Sequence, residues 1–213
     1  MNTPNVKQVL YQKQASTLIK NFQKNGFDAY FCQNSHEARE KALSLIPLDH
    51  IVSWGGSITL QEIGLLDAIR QRYSVLDRDQ TTTKEQRNDI MRQALLCDTF
   101  LMSANAISLD GTLYNIDGNG NRLAALLYGP RQVIVVAGMN KVVATIADAK
   151  QRARTIAAPL NMQRFATQTP CQHTGVCHDC LTEDSICNQF VLTRRSTPSG
   201  RIKIILVGTT LGF

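Results

Sequence analysis

Short apolar runs, each about one strand long, alternate with ten-residue stretches of helical periodicity along most of this chain. That alternation restricts the possible folds more than any other feature. Val6, Val9, Leu10, Leu18, Ile19 and Phe22 recur at helical spacing, and Gly26 follows as a stop signal. Residues 27–32 then read as a strand, and Ser35 opens a helix that Pro47 ends. A strand at 50–54 runs into Gly55-Gly56-Ser57, followed by a helix at 59–70 and a short strand at 73–76. Thr82 with Glu85, or Thr83 with Gln86, fits a capping box opening the next helix, before a strand at 99–103. Asp110-Gly111 between two β-rich runs predicts a hairpin, because Gly accepts the positive φ of a tight turn. Asp117-Gly118-Asn119-Gly120 leads into a short helix at 121–128, then a buried strand at 132–137 and a helix at 141–157. An irregular segment at 159–199 precedes a last strand at 201–207. The pattern predicts one α/β domain over residues 1–213, with a mainly parallel sheet, helices on both faces, a β-hairpin and a cysteine-rich insertion at 159–199.

The chain has 213 residues, 43% apolar and 19% charged, an ordinary balance for a packed domain rather than a disordered one. No apolar run approaches the roughly 18 residues of a membrane-spanning helix. Met1 to Lys7 lacks an apolar secretory core, so a cytoplasmic location is expected. The net charge is +6, and from Gln151 onward seven basic residues face three acidic ones. Such a surplus draws anions, or is merely a solvated surface. Nucleic acid is disfavoured as partner, because the single Trp and the scarcity of aromatics near basic residues leave no stacking platform.

Six cysteines in a chain without an export signal are expected to be reduced. Cys32 and Cys97 stand in apolar contexts and read as small buried hydrophobes. Cys171, Cys177, Cys180 and Cys187 are spaced C-x5-C-x2-C-x6-C, and the short loops between them allow four thiolates to close on one centre. That donor set suits a [4Fe–4S] cluster or tetrahedral zinc. Zinc modules usually carry two CxxC pairs, whereas one compact loop with a single CxxC favours the cluster, with zinc as the alternative and metal-free thiols as the third case. His173 and His178 in the same loop read as exposed residues rather than ligands.

In open α/β sheets, ligands sit beyond the carboxyl ends of the strands. Three turns follow strands directly: Gly55-Gly56-Ser57, Ser103-Ala104-Asn105 and Gly138-Met139-Asn140-Lys141. They are expected to line a common cleft. The Gly-Gly-Ser turn is either an anion cradle or a plain tight turn, since it matches neither a P-loop nor GxGxxG. Asp117 to Arg122 fails as an EF-hand, because Arg122 stands where Gly is required. It reads either as a polar turn with Asn121 as N-cap or as a source of cleft residues. Lys141, expected at a helix start, gains nothing from the helix dipole. It therefore either serves a carboxylate or phosphate ligand or is simply solvated. No nucleophile–base–orienter set has support from spacing.

Taken in order, Trp54-Gly55-Gly56-Ser57-Ile58-Thr59-Leu60, Ala104-Asn105-Ala106-Ile107-Ser108-Leu109-Asp110-Gly111-Thr112-Leu113 and Asp117-Gly118-Asn119-Gly120-Asn121-Arg122 form a familiar series. It continues with Gly129-Pro130, Gly138-Met139-Asn140-Lys141, Pro170-Cys171, Thr174-Gly175-Val176-Cys177-His178-Asp179-Cys180, Ile186-Cys187-Asn188 and the ending Val207-Gly208-Thr209-Thr210-Leu211-Gly212-Phe213. The series resembles the LUD-domain proteins associated with lactate utilisation, in their stand-alone bacterial form with a cysteine-rich C-terminal segment. The resemblance implies a fold similar to the sugar-phosphate isomerase and CoA-transferase superfamily, with a cleft that uses the Gly-Gly-Ser, Asn-Ala-Ile and Asp-Gly segments. It also implies a role near the oxidation of lactate to pyruvate, alongside iron–sulfur partner proteins. No CoA-transferase glutamate is in evidence.

The leading expectation is a LUD-domain protein of lactate or organic-acid redox metabolism. Gly55, Gly56, Ser57, Asn105, Asp110, Asn121, Arg122 and Lys141 would line a cleft for an anionic small molecule, a carboxylate or a phosphate. Cys171, Cys177, Cys180 and Cys187 would hold the metal. The alternative is an isomerase- or transferase-type enzyme with a purely structural zinc. A homo-oligomer is compatible with either.

Overall fold

The computed structural model describes residues 6–213. Its centre is a six-stranded, all-parallel sheet in the order β1 (Asp28–Cys32), β10 (Ile202–Val207), β7 (Gln132–Gly138), β4 (Thr99–Met102), β2 (Ile51–Trp54) and β3 (Ser74–Leu76). The central strand β7 is buried at every position, which is why it reads as an unbroken apolar run rather than an alternating one. Its side chains still alternate in space. Val133, Val135 and Ala137 join Phe22, Phe27, Phe100 and Leu206 in one core layer. Ile134 and Val136 join Trp54, Leu60, Leu65 and Ile205 in the other. The first layer lies under α1 (Val6–Lys24) and α6 (Asn121–Leu127), the second under α2 (Ser35–Ser44), α3 (Ile58–Glu62) and α4 (Leu65–Arg72). Fully burying each such side chain contributes about 1.5–3 kcal/mol.

A second, four-stranded sheet stands beside the first, in the order β8 (Val142–Val143), β5 (Ala106–Ser108), β6 (Thr112–Asp117) and β9 (Gln189–Thr193). The hairpin formed by β5 and β6 is antiparallel, with Ile107 opposite Leu113, and Gly111 takes the left-handed φ of +84°. In the main sheet the connection from β2 to β3 runs one way and the chain from β4 to β7 runs the other. The strand order therefore reverses around the β2–β4 pair, which opens a crevice at their carboxyl ends.

Several local expectations need correction. Residues 59–70 are not one helix. Gly64, in the left-handed region at φ +65°, divides them into α3 and α4. Lys141 does not begin a helix. It ends a 3-10 turn, Met139–Lys141, and the β-branched pair Val142-Val143 then joins the second sheet beside β5. Helix α7 (Ile146–Arg152) starts only at the capping box of Thr145 and Asp148, and a π-helical turn, Ala153–Ala157, carries it into α8 (Ala158–Met162). The N-cap of α6 is Gly120, not Asn121, and that of α2 is Asn34 rather than Ser35. Of the two capping boxes considered for α5 (Lys84–Gln93), that of Thr83 with Gln86 forms. The cysteine segment is not irregular throughout. It holds a one-turn helix, α9 (Pro170–Thr174), and strand β9, which pairs with β6 from Thr193–Leu113 to Gln189–Asp117.

Candidate functional site

The crevice at the carboxyl ends of β2 and β4 widens into a cleft of about 510 Å³. Of the residues expected there, Gly55, Gly56, Ser57, Asn105, Asn121, Arg122 and Lys141 line it. Asp110 does not. The hairpin leaves the cleft at Asn105, turns at Asp110 at its far end and returns at Asp117. There the Asp110 carboxylate accepts from Ser108 Oγ and, at 3.2 Å, from Thr112 N, while Asn25 Nδ2 donates to its carbonyl. Asp110 thus closes a turn against the end of α1.

Lys141 closes the 3-10 turn that follows the buried strand β7, and its side chain lies at the cleft. The Asn140 side chain, bonded to the backbone of Leu211, and Arg152, which donates to Asn140 O at 3.1 Å, hold that turn in place. Lys141 is only 3% exposed. Its Nζ donates to Thr59 Oγ1 at 3.1 Å and to Ser103 Oγ at 3.0 Å, both neutral oxygens. Burial is the main cause that pulls its pKa from 10.5 down to about 7, reinforced by the cations Arg152 and Arg122 and opposed by Glu62. The alternative of a solvated lysine is thereby excluded.

Arg122 is structural. Its Nη1 donates to Ser103 O at 3.0 Å and Asn115 Oδ1 at 2.9 Å, and its Nη2 to Asn105 Oδ1 at 3.2 Å and Ile116 O at 2.6 Å. Nε stands 3.7 Å from Asp117 Oδ2. The guanidinium therefore ties the end of β4 to the base of the hairpin and has few donors left for a ligand. Its stem explains Gly55, where a Cβ would stand 2.7 Å from Arg122 Cδ. The Asn105 side-chain oxygen is spent in the same network, since it also accepts from Ile116 N at 2.9 Å. Ser57 is the N-cap of α3 and accepts from Leu60 N, so the Gly-Gly-Ser turn serves first as a tight turn with a cap.

Arg78 is one of three cleft cations, with Arg87 and Arg164, that were not among the expected residues. It opens the 3-10 turn that follows β3 at the same end of the sheet. Its guanidinium lies against Gly56, where a Cβ would meet Nη2 at 2.6 Å. Its side chain is only 14% exposed, yet Nε has no hydrogen-bond partner and Nη1 reaches only Met91 Sδ at 3.7 Å. Asp79 stands 3.7 Å away and is itself held by Trp54 Nε1 at 2.9 Å and approached by Arg87 at 3.6 Å. Burial pushes the pKa of Arg78 down, so its charge is costly to keep without a counter-ion. The clue in the sequence is the polar run Asp77-Arg78-Asp79 directly after a strand.

The cysteine segment forms one wall of this cleft through Glu183, Asp184, Ser185 and Ile186. Asn188 N donates to Asp117 O at 3.0 Å, and Asn188 Nδ2 to Gly118 O at 3.1 Å. Cys171 is buried in α9, and Cys177, Cys180 and Cys187 are half-buried. Burial, then the fields of Cys177, Cys171 and Cys180, push the Cys187 thiol up to about 11, so the four sulfurs share one neighbourhood. They do not form a closed shell: among the described residues, no group of three or more His, Cys, Asp or Glu side chains is gathered closely enough to hold a metal ion. Arg154 pairs with Asp179 and reaches Cys177 Sγ at 3.9 Å. His173 bonds Gln168 and His178 bonds Thr174, both within the loop. Among the described residues, no helix is long and apolar enough to cross a membrane.

The LUD domain family profile matches residues 15–207 of this chain. No curated protein matches it. Among solved structures, a DUF162 family protein from Deinococcus radiodurans, whose crystal structure was determined at 1.70 Å resolution, is similar with a TM-score of 0.51 and 13% sequence identity. The likeness covers 94% of this chain and 98% of that one, and at such identity it speaks for the fold alone.

Proposed function

Because the chain belongs to the LUD-domain family, we propose that it works in lactate-linked organic-acid metabolism by binding a small monocarboxylate in the cleft between β2 and β4. The observation that carries this reading is Arg78, a largely buried cation on the cleft wall whose Nε has no hydrogen-bond partner. A carboxylate there would supply the acceptor that Nε lacks and add to the weak pairing with Asp79 at 3.7 Å. Five basic side chains and four acidic ones line the cleft, and most of the basic ones are already engaged. That balance favours a monoanion over a phosphate dianion.

The chemistry of the four cysteines suits a metal, although their sulfurs are not drawn into a closed shell in this structure. Cys171, Cys177, Cys180 and Cys187 are four soft ligands in one neighbourhood, and thiol protons would leave on binding a cation. When bound, an iron–sulfur cluster supplies one-electron chemistry suited to redox partner proteins, whereas zinc supplies only a fold staple. In either case the wall at Glu183 to Ile186 would be held more firmly. Lys141, a buried amine, favours the second reading, an enzyme with a structural zinc.

Thermal melts of the full chain with lactate, pyruvate, dihydroxyacetone phosphate and CoA test the cleft. A rise with the two monocarboxylates that Arg78→Gln abolishes is expected. No rise with any of them removes the reading.

A further inference from the structure

We propose that Lys141 is an imine-forming amine, whose Nζ condenses with the carbonyl carbon of a small 2-oxo acid seated in the cleft. This deepens the reading above and rests on it: the carboxylate is assigned to Arg78, the carbonyl to Lys141.

The argument starts from what surrounds Nζ. A buried lysine that serves only the fold is normally paired with a carboxylate, since an unpaired buried charge is costly. Lys141 has two hydroxyl partners instead, and no ion pair involving it forms among the described residues. Its neighbours Arg152 and Arg122 add positive charge rather than cancel it, and Glu62 acts the other way. Such surroundings favour the uncharged amine, the form that attacks a carbonyl. Desolvation beside other cations is a known way to activate a lysine. Lys141 also lines the cleft. A charged lysine kept only for anion binding would do better exposed.

The step balances without an oxidant or reductant. The amine lone pair forms the N–C bond, and the carbonyl oxygen takes up protons and leaves as water, so that two amine hydrogens depart with it. Thr59 Oγ1 and Ser103 Oγ, at 3.1 and 3.0 Å, stand where a group that passes those protons is needed. Ser103 and Asn105 follow β4 while Thr59 follows β2, so both sides of the crevice contribute.

The test uses the full chain with pyruvate and sodium cyanoborohydride, read by intact mass and tryptic mapping. The expected result is one pyruvate-derived group per chain, with loss of tryptic cleavage after Lys141, and no addition with lactate, which lacks the carbonyl. Lys141→Met should reduce the addition to background, and if that variant fails to fold, the wild-type map decides alone. Addition spread over exposed lysines such as Lys20 and Lys150, or none at all, overturns the proposal. A melting-temperature rise with lactate and pyruvate but no addition refutes the imine and leaves the carboxylate cleft standing. No rise with either removes both.

Discussion

Replacing Lys141 with methionine probes the energetics of the cleft floor directly, because the two side chains are similar in length and only the amine is lost. The pKa of Lys141 falls from 10.5 in the open chain to about 7 in the fold. At about 1.4 kcal/mol per pH unit, keeping the ammonium in the native state costs on the order of 5 kcal/mol below neutrality. Methionine removes that cost and forfeits two hydrogen bonds, to Thr59 and Ser103, each contributing about 1 kcal/mol. The variant should therefore be more stable than the parent by about 2–4 kcal/mol at pH 6. The sign reverses with pH. Between about 7 and 10.5 the unfolded parent binds a proton that the native parent does not, so parent stability rises across that window. By pH 10 the advantage of methionine should have vanished. Urea unfolding at pH 6, 8 and 10 measures it. A stability difference that does not change with pH, or a variant less stable at pH 6, would refute the assignment of Lys141 as a buried amine without an ion-pair partner. Instability at an unpaired group of this kind is what a reactive site tends to cost its fold.

Four further outcomes follow from the same geometry. Gly55→Ala should destabilise by about 1–3 kcal/mol, because its Cβ meets the stem of Arg122 and the head of that residue is pinned at four acceptors. Gly56→Ala meets only the flexible end of Arg78, so chemical denaturation should register less than ~1 kcal/mol, while the carboxylate-induced rise in melting temperature should shrink. Arg122→Lys should cost about 2–4 kcal/mol in the same assay, since an ammonium cannot span Ser103 O, Asn115, Asn105 and Ile116 O together. Anaerobically purified protein should carry iron and sulfide, and Cys171→Ser should lose them. A colourless protein with one zinc per chain would leave the four cysteines a structural role only.

The parallel sheet could be read from periodicity because each strand repeats a local rule. A strand buried on both faces must be mostly apolar, as β7 is from Val133 to Gly138, and each crossover helix must show one apolar stripe. The cleft could be located by the same reasoning, since turns after parallel strands gather at one end of a sheet. Residue roles within it could not. Arg122 and Arg78 are alike as letters, yet one is saturated by carbonyls and amides of the hairpin and the other is left with a bare Nε. Asp110 and Asp117 both sit in Asp-Gly turns, but six residues of extended strand put them at opposite ends of the hairpin.

Short-range chemistry therefore sufficed for the six strands of the main sheet, the tight turns at Gly111 and Gly120, and the crowding of four sulfurs into one segment, but not for the division of residues 59–70 or for strands β8 and β9. Long-range packing assigned the charges. Whether a cation is spent, free or forced toward neutrality depends on atoms contributed by segments far apart in the chain, as when Thr59 and Ser103 meet at Lys141. A side chain's protonation and reach follow from the dielectric and the partners around it, and these come into being only when the chain closes on itself.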